Sequence, residues 1–168
     1  MAEADLTSRI LHALEHNPLG DAVREIPWLF SVSEAIHFIG LSIMAGALLI
    51  IDLRLLGFIR QADHRTVEKL IPVAIAGFAL NLISGVTLFT SDPYMYWPNP
   101  VFKLKMAFVL IAGLNALWFA VLTAKTPIVK FSPGRQRTLL RATAYLSLAS
   151  WFLVILFGRL LPTFEAFG

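Results

Sequence analysis

LFSVSEAIHFIGLSIMAGALLIID, residues 29–52, is the stretch that decides the fold. Apart from Glu34, His37 and the closing Asp52, every residue in it is apolar or small and uncharged. About 20 such residues carry a helix across the hydrocarbon core of a bilayer, because each adds about 1.5 Å of rise. The stretch therefore predicts a membrane-spanning helix, which we place at about residues 28–54.

Three further segments have the same character and lie at about residues 71–90, 101–124 and 142–161. The whole chain is 57% hydrophobic and only 15% charged, with a mean hydropathy of +0.71. Soluble domains have about 25% charged residues. We therefore predict an all-α integral membrane protein, in which residues 27–168 form a four-helix transmembrane bundle.

The N-terminal segment, residues 1–26, is polar and of mixed charge. Ile10, Leu11 and Leu14 fall at helical spacing, and the Asn-Pro pair at 17–18 is expected to end the helix. This pattern predicts an amphipathic helix lying in the membrane interface, with a flexible tail as the alternative. The segment lacks the apolar core of a cleavable signal peptide.

The connection SDPYMYWPNP, residues 91–100, is dense in proline and aromatic residues. Proline restricts the backbone, and tryptophan and tyrosine are enriched at the level of the lipid headgroups. We expect a rigid turn held at that level. The same aromatic residues could also form a docking surface for a partner protein.

The distribution of cations predicts the orientation in the membrane. Nine of the 14 Lys and Arg residues lie between spans one and two or between spans three and four, and five lie on the other side. The two sets are Arg54, Arg60, Arg65, Lys69, Lys125, Lys130, Arg135, Arg137 and Arg141, against Arg9, Arg24, Lys103, Lys105 and Arg159. Because cytoplasmic loops carry the excess of cations, both termini are expected outside.

Composition also narrows the classes of function. The net charge of +3 comes from scattered cations without an aromatic-basic platform, so lipid rather than nucleic acid is the expected partner. The chain has no cysteine, which excludes disulfides and thiolate metal sites. It contains no GxSxG, HExxH, Walker A or GxGxxG motif, so no enzymatic reaction is predicted.

Ionisable side chains inside a membrane are costly, so each needs a physical reason. Glu34 and His37 are three residues apart and share one face of the first span. Lys103, Lys105 and Met106 on span three and Arg159 on span four lie at similar depth, whereas Asp52 and Arg54 lie near the opposite boundary of the bilayer. The candidate site residues are Glu34, His37, Lys105, Met106 and Arg159.

Three interpretations of this cluster remain open. In the plainest, the cations extend to the interface, Glu34 pairs with one of them, and His37 is hydrogen-bonded between helices. In the second, His37 is an axial ligand of a b-type haem, with Lys105 or Arg159 at the propionates. In the third, Glu34, His37 and Asn115 line a pocket that binds or transports a quinone-like or other small solute, with Glu34 and His37 as a proton relay. A cofactor-free accessory subunit of a larger membrane complex is a further alternative.

The haem interpretation meets a specific difficulty, because His37 is the only histidine within a predicted span. Two histidine ligands within one monomer are therefore excluded. The iron would be held by His37 alone, by His37 from each chain of a homodimer, or by His37 with Met106. Copper ranks below haem, since the methionines form no MxM or MxxM cluster.

Small and amide side chains within the spans predict helix packing. Small residues allow close backbone approach, and asparagine can bond across helices. Asn81 and Asn115 are therefore interpreted first as interhelical hydrogen-bonding residues. The small-residue faces are Ser42 with Gly46, Gly77 with Ser84 and Gly85, and Ala112 with Ala116 and Ala120.

Four segments together resemble a family of small, largely uncharacterised bacterial four-helix inner-membrane proteins. These segments are HFIGLSIMAGALLIIDLRLLG (37–57), NLISGVTLF…YWPNPVFKLKM (81–106), GLNALWF (113–119) and FGRLL (157–161). They carry an H-x-x-G-L start, a D-L-R-L-L-G end of the first helix, an N-P-x-F-x-x-K turn and a late Gly-Arg.

The resemblance implies a bacterial inner-membrane location and an architecture loosely similar to small cytochrome b-type and copper-resistance membrane proteins. It implies no established reaction. The positions that it singles out are His37, Asp52, Arg54, Gly85, Lys105 and Arg159. Relatives carry a histidine where this chain has Ala120, and that departure weakens the haem interpretation.

Overall fold

The computed structural model describes residues 2–59, 64–124 and 135–165, and these residues form helices and short connections without a β-strand. The helices are α1 (Ala2–Glu15), α2 (Pro18–Glu25), α3 (Pro27–Leu56), α4 (His64–Ser91), α5 (Pro93–Tyr96), α6 (Pro100–Ala124) and α7 (Arg135–Glu165).

Four of the described helices, α3, α4, α6 and α7, are long and apolar enough to cross a membrane. The candidate spans within them are residues 27–56, 67–91, 100–122 and 138–163. The predicted all-helical fold and its four apolar segments are therefore confirmed, and they indicate a multi-pass membrane protein. The helices extend beyond the predicted limits because polar, helix-favouring residues at their ends continue the same helix.

The long helices pack in the order α4, α3, α7, α6. The most extensive contact joins α3 to α4, followed by α6 with α7 and α3 with α7, whereas α4 and α6 do not form a packed pair among the described residues. A gap therefore separates α4 from α6 over the described residues. Two ends of the molecule are distinguished below: the loop end, where α3 and α6 terminate, and the α5 end opposite it.

Helices α3 and α4 approach each other at two glycines. A Cβ on Gly40 would lie 2.8 Å from the backbone nitrogen of Asn81, and one on Gly77 would lie 2.7 Å from that of Met44. Such distances leave no room for a side chain, so the tightest crossing of the fold depends on both glycines. The predicted face at Gly46 is not used in this way, since nothing lies within 4 Å of a Cβ built there.

The buried core is small and lies between α3, α6 and α7. It consists of Met44, Ala112, Trp151 and Val154. Most other large apolar side chains are exposed on the outside of the helices, as is usual where lipid is the solvent.

The N-terminal segment forms two helices that dock on the end of α4. Helix α1 ends before Asn17, as expected, and the Asn17 side chain then caps α2 by accepting from the backbone nitrogens of Leu19 and Gly20. The Arg24 guanidinium donates to the carbonyl of Ser91 at 3.0 Å and to that of Thr90 at 3.3 Å. Helix α2 thereby covers the C-terminal carbonyls of α4.

The connection at the α5 end is held by two side-chain caps and an aromatic cluster. Asp92 accepts from the backbone nitrogen of Met95 at 2.9 Å, and Asn99 accepts from that of Val101 at 2.9 Å. The aromatic cluster consists of Phe89, Tyr96 and Phe102, in which the Phe89 and Phe102 rings stack at 5.3 Å. These contacts tie α4 to α6 at this end.

Candidate functional site

His37 lies at the α3–α4 contact in the half of the molecule near the α5 end. Its side chain is half-buried, and its Nδ1 lies 3.1 Å from the hydroxyl oxygen of Ser84. The Asn81 side chain donates to the backbone carbonyl of His37 at 2.9 Å. Asn81 therefore links two helices, as predicted.

The hydrogen bonds of the Ser84 hydroxyl indicate which nitrogen of the His37 imidazole carries the proton. Its single hydrogen is directed to the carbonyl of Leu80 at 2.7 Å or to that of Asn81 at 3.1 Å. With its hydrogen directed in this way, the hydroxyl oxygen accepts from His37, an arrangement that assigns the proton to Nδ1 and the lone pair to Nε2. Gly85 makes room for the ring, since a Cβ there would lie 3.1 Å from Cε1 of His37.

Lys105 is the predicted site residue that the structure brings toward His37. Its side chain is partly buried and near enough to His37 for their charges to interact. The end of the lysine side chain passes over Gly158 of α7, where a Cβ would lie 3.8 Å from Nζ. Of the late Gly-Arg pair, Gly158 therefore lies beneath the Lys105 side chain, whereas Arg159 is exposed.

The remaining predicted site residues lie on the surface. Glu34 and Arg159 are exposed, and within the described chain no ion pair joins Glu34 to a cation. Met106 is 45% exposed. The structure therefore brings together His37 and Lys105 of the proposed cluster, while Glu34, Met106 and Arg159 face outward.

A cavity of about 450 Å³ occupies the gap between α4 and α6 toward the loop end. Its floor is formed by α3 and α7, and its walls are mostly apolar, with Met44, Phe78 and Trp151 among them. Ile75 of α4 and Leu117 of α6 also line it and are 63% and 62% exposed, respectively. The cavity therefore opens sideways between α4 and α6, toward the lipid.

Four polar side chains line this cavity: Asp52, Asn115, Thr143 and Ser147. Asp52 is only 4% exposed and is hydrogen-bonded to the side chain of Ser147. Its Oδ2 atom is buried and has no hydrogen-bond partner among the described residues. The Asn115 side chain donates to the backbone carbonyl of Thr143 at 3.1 Å, so Asn115 links α6 to α7 as predicted.

The pocket expected to contain Glu34, His37 and Asn115 together differs from the cavity in the structure. Asn115 lines the cavity near the loop end, whereas neither Glu34 nor His37 does. From its position along the first span, Asp52 was expected near the membrane boundary. The missed signal is its spacing from buried Met44 and Ile51, which puts Asp52 on the inward stripe of α3.

A second cavity of about 390 Å³ lies between α3 and α7. Asp52 and Trp151 line both cavities. Apart from Asp52, the lining of the second cavity is apolar, with Ala45, Leu49 and Phe152 as examples. The buried carboxylate is therefore positioned at the contact of α3 with α7, between two spaces.

Over the part of the chain that the structure describes, no group of three or more His, Cys, Asp or Glu side chains is placed to hold a metal ion. His37 could supply one axial nitrogen to a haem iron through Nε2, but it lines neither cavity. Comparison of the chain with protein-family models, curated proteins and solved structures finds no match.

Proposed function

We propose that this protein binds a small lipophilic molecule in the cavity between α4 and α6, with Asp52 as its principal polar contact. The observation that carries the proposal is the buried Oδ2 atom of Asp52, which has no partner among the described residues. The proposal corresponds to the small-solute interpretation, moved from His37 to the other half of the molecule.

A buried carboxylate without partners is unfavourable. Buried polar atoms are hydrogen-bonded in nearly all proteins, and leaving one unsatisfied costs on the order of 1–3 kcal/mol, more for a charged group. Ser147 satisfies only part of the acceptor capacity of Asp52. A donor group on a bound molecule would supply the missing interaction.

The shape of the cavity supports the same function. Binding sites for small molecules have volumes of about 300–1,000 Å³ and are mostly apolar with a few polar groups. The space beside Asp52, at about 450 Å³, lies within this range. Because it opens between Ile75 and Leu117, a lipophilic ligand would enter from the bilayer.

Binding of small cage compounds to the protein in phosphatidylcholine nanodiscs tests the proposal. The probes are 1-adamantanol and 1-aminoadamantane, measured by equilibrium dialysis against empty nanodiscs to correct for partitioning. Ala116→Trp places a bulky side chain in the cavity lining and is expected to abolish binding. The matched control is Gly46→Trp, at a position with open space around it. If neither compound binds, or if the two variants behave alike, the proposal is wrong.

A second candidate function, binding of a b-type haem, has support in the tautomer of His37. The Ser84 contact leaves Nε2 with the lone pair that an iron atom requires. Lys105, whose charge is near enough to interact with His37, would be the cation for a propionate. Since Met106 faces outward, a methionine ligand would have to come from a second copy of the chain.

An absorption spectrum of protein purified from haem-replete cells tests this second function. Haem bound through His37 gives a Soret band that His37→Ala removes and His12→Ala leaves unchanged, because His12 is an exposed residue of α1. Colourless protein that takes up no added haem would exclude it.

We further propose a location in the bacterial inner membrane with both termini outside. The family resemblance supports the membrane, and the excess of cations at the loop end supports the orientation. Helix α1 contacts the α5 end, where the Tyr94 hydroxyl donates to the carbonyl of Ser8 at 3.4 Å, which supports an interfacial position for the N-terminal segment. An accessory-subunit role rests only on the exposed Tyr94 and Trp97, which interfacial anchoring explains equally well.

A further inference from the structure

We infer that the ligand of the cavity between α4 and α6 is an organic cation, such as a protonated lipophilic amine. The inference rests on the proposed function and adds the charge of the ligand to it. It depends on the composition of the lining around Asp52.

Asp52 is the only charged side chain in that lining, as far as the described residues go. Among the residues that the structure describes, the lining includes no Lys, Arg or His to neutralise it. An ionised carboxylate is tolerated in a buried site when an opposite charge is paired with it. A neutral hydroxyl on a ligand would supply a hydrogen bond, whereas a cation would also balance the charge of the ionised carboxylate.

The aromatic residues of the lining favour the same class of ligand. Phe78 and Trp151 meet edge to face, with ring centroids 6.2 Å apart and planes at 70°, and both line the cavity. The faces of such rings attract cations, and tryptophan does so most strongly. Trp151 is one helical turn after Ser147, so the aromatic ring and the hydroxyl partner of Asp52 lie on the same face of α7.

The larger cavity fits this ligand better than the smaller one. An ammonium group has several N–H donors, and Asn115, Thr143 and Ser147 supply further oxygen atoms in the larger cavity. In the smaller cavity, Asp52 is the one polar residue that the described part of the chain contributes to the lining. Ala116→Trp, which fills the larger space, is therefore expected to block the cation, and Ala45→Trp, which fills the smaller, is not.

The test compares three probes of the same cage shape at pH 7 in phosphatidylcholine nanodiscs. They are 1-aminoadamantane, the permanently charged N,N,N-trimethyl-1-adamantylammonium, and neutral 1-adamantanol. We expect both cations to bind at least tenfold more tightly than the alcohol. Asp52→Asn preserves the size of the side chain and should remove this preference. The control Glu34→Gln changes an exposed carboxyl group on the same helix and should leave it intact.

Equal binding of the alcohol and the cations, or a cation preference that survives Asp52→Asn, overturns the inference. The proposed function stands in that case provided that Ala116→Trp still blocks all three probes. Loss of binding for every probe in the wild-type protein instead overturns the proposed function itself.

A second variant covers the event that Asp52→Asn does not fold. Ser147→Ala keeps the carboxylate and removes its hydroxyl partner, so the preference for cations should persist or increase. Loss of the preference in Ser147→Ala would assign recognition to the hydroxyl group and overturn the inference.

Discussion

Gly40 and Gly46 lie on the same helix but have opposite surroundings. A Cβ on Gly40 would meet the backbone of α4 at 2.8 Å, whereas one on Gly46 would meet nothing within 4 Å. Gly40→Ala should therefore push α3 and α4 apart, at a cost of about 1–3 kcal/mol. Gly46→Ala should be neutral or stabilise the helix by up to about 1 kcal/mol. Thermal unfolding in detergent, followed by circular dichroism, measures both changes.

The sign of the difference in unfolding temperature between Gly40→Ala and Gly46→Ala is the decisive result. If Gly40→Ala unfolds at the same temperature as Gly46→Ala or higher, the close crossing of α3 and α4 is not a determinant of stability. Gly77→Ala offers an independent check from the other helix, because a Cβ there would lie 2.7 Å from the backbone of Met44.

His37 and Asp52 show what can be predicted about single residues. His37 was identified because an imidazole within an apolar segment is an anomaly whatever its direction. Asp52 was placed at the boundary, since residue number gives the depth along a helix but not which neighbour covers that face. Its burial depends on Ser147, which is close in space only once α3 has packed on α7.

At the scale of elements, Arg24 forms the clearest contact between the N-terminal helices and α4. The last carbonyls of a helix lack partners within it and carry partial negative charge. The guanidinium of Arg24 donates to two of them, on Thr90 and Ser91, and also contacts Asp21 at 2.5 Å. A buried Gly20 lets α2 lie directly on the end of α4.

Removing this guanidinium should loosen α1 and α2. Arg24→Gln is expected to speed amide hydrogen exchange in residues 2–25 by about 5–30-fold, which corresponds to a loss of about 1–2 kcal/mol. Arg9→Gln is the control, because Arg9 is exposed on α1. Unchanged exchange in Arg24→Gln, or equal acceleration in both variants, would show that this contact does not hold the segment.

Helix α2 was not predicted, although local signals for it exist. Asn17 is a favourable N-cap, and Pro18 is suited to the first helical position. The segment has few apolar residues, so hydrophobic periodicity gave no indication of a second helix. Its stability comes from contacts with Thr90 and Ser91, about 70 residues away in the chain, which no local pattern reveals.

At the scale of the whole molecule, the order of the helices was beyond prediction. In a soluble protein, an apolar stripe identifies the face of a helix that packs against its neighbours. Helices in lipid are apolar on all sides, so no such stripe distinguishes the packed face. The stripe of Ala112, Ala116 and Ala120 illustrates the problem. It was expected to pack against another helix, yet only Ala112 is buried, and Ala116 and Ala120 line the open cavity.

The orientation of the molecule decides which compartment the half containing Asp52 faces. Because the chain has no cysteine, single cysteines can be introduced and labelled without removing others. Pro98 is exposed at the α5 end, and Glu68 is exposed near the start of α4 at the loop end. With both termini outside, a membrane-impermeant maleimide should label Pro98→Cys in intact spheroplasts and Glu68→Cys only after permeabilisation.

The opposite labelling pattern would invert the molecule and place the cavity in the outer half of the membrane. Labelling of both positions in sealed spheroplasts would contradict a crossing by α4, since Glu68 lies near the start of that helix and Pro98 lies beyond its end. In the expected orientation, Asp52 lies toward the cytoplasm and His37 toward the outside. A lipophilic cation would then meet its carboxylate in the inner half of the bilayer, near the anionic headgroups that concentrate cations there.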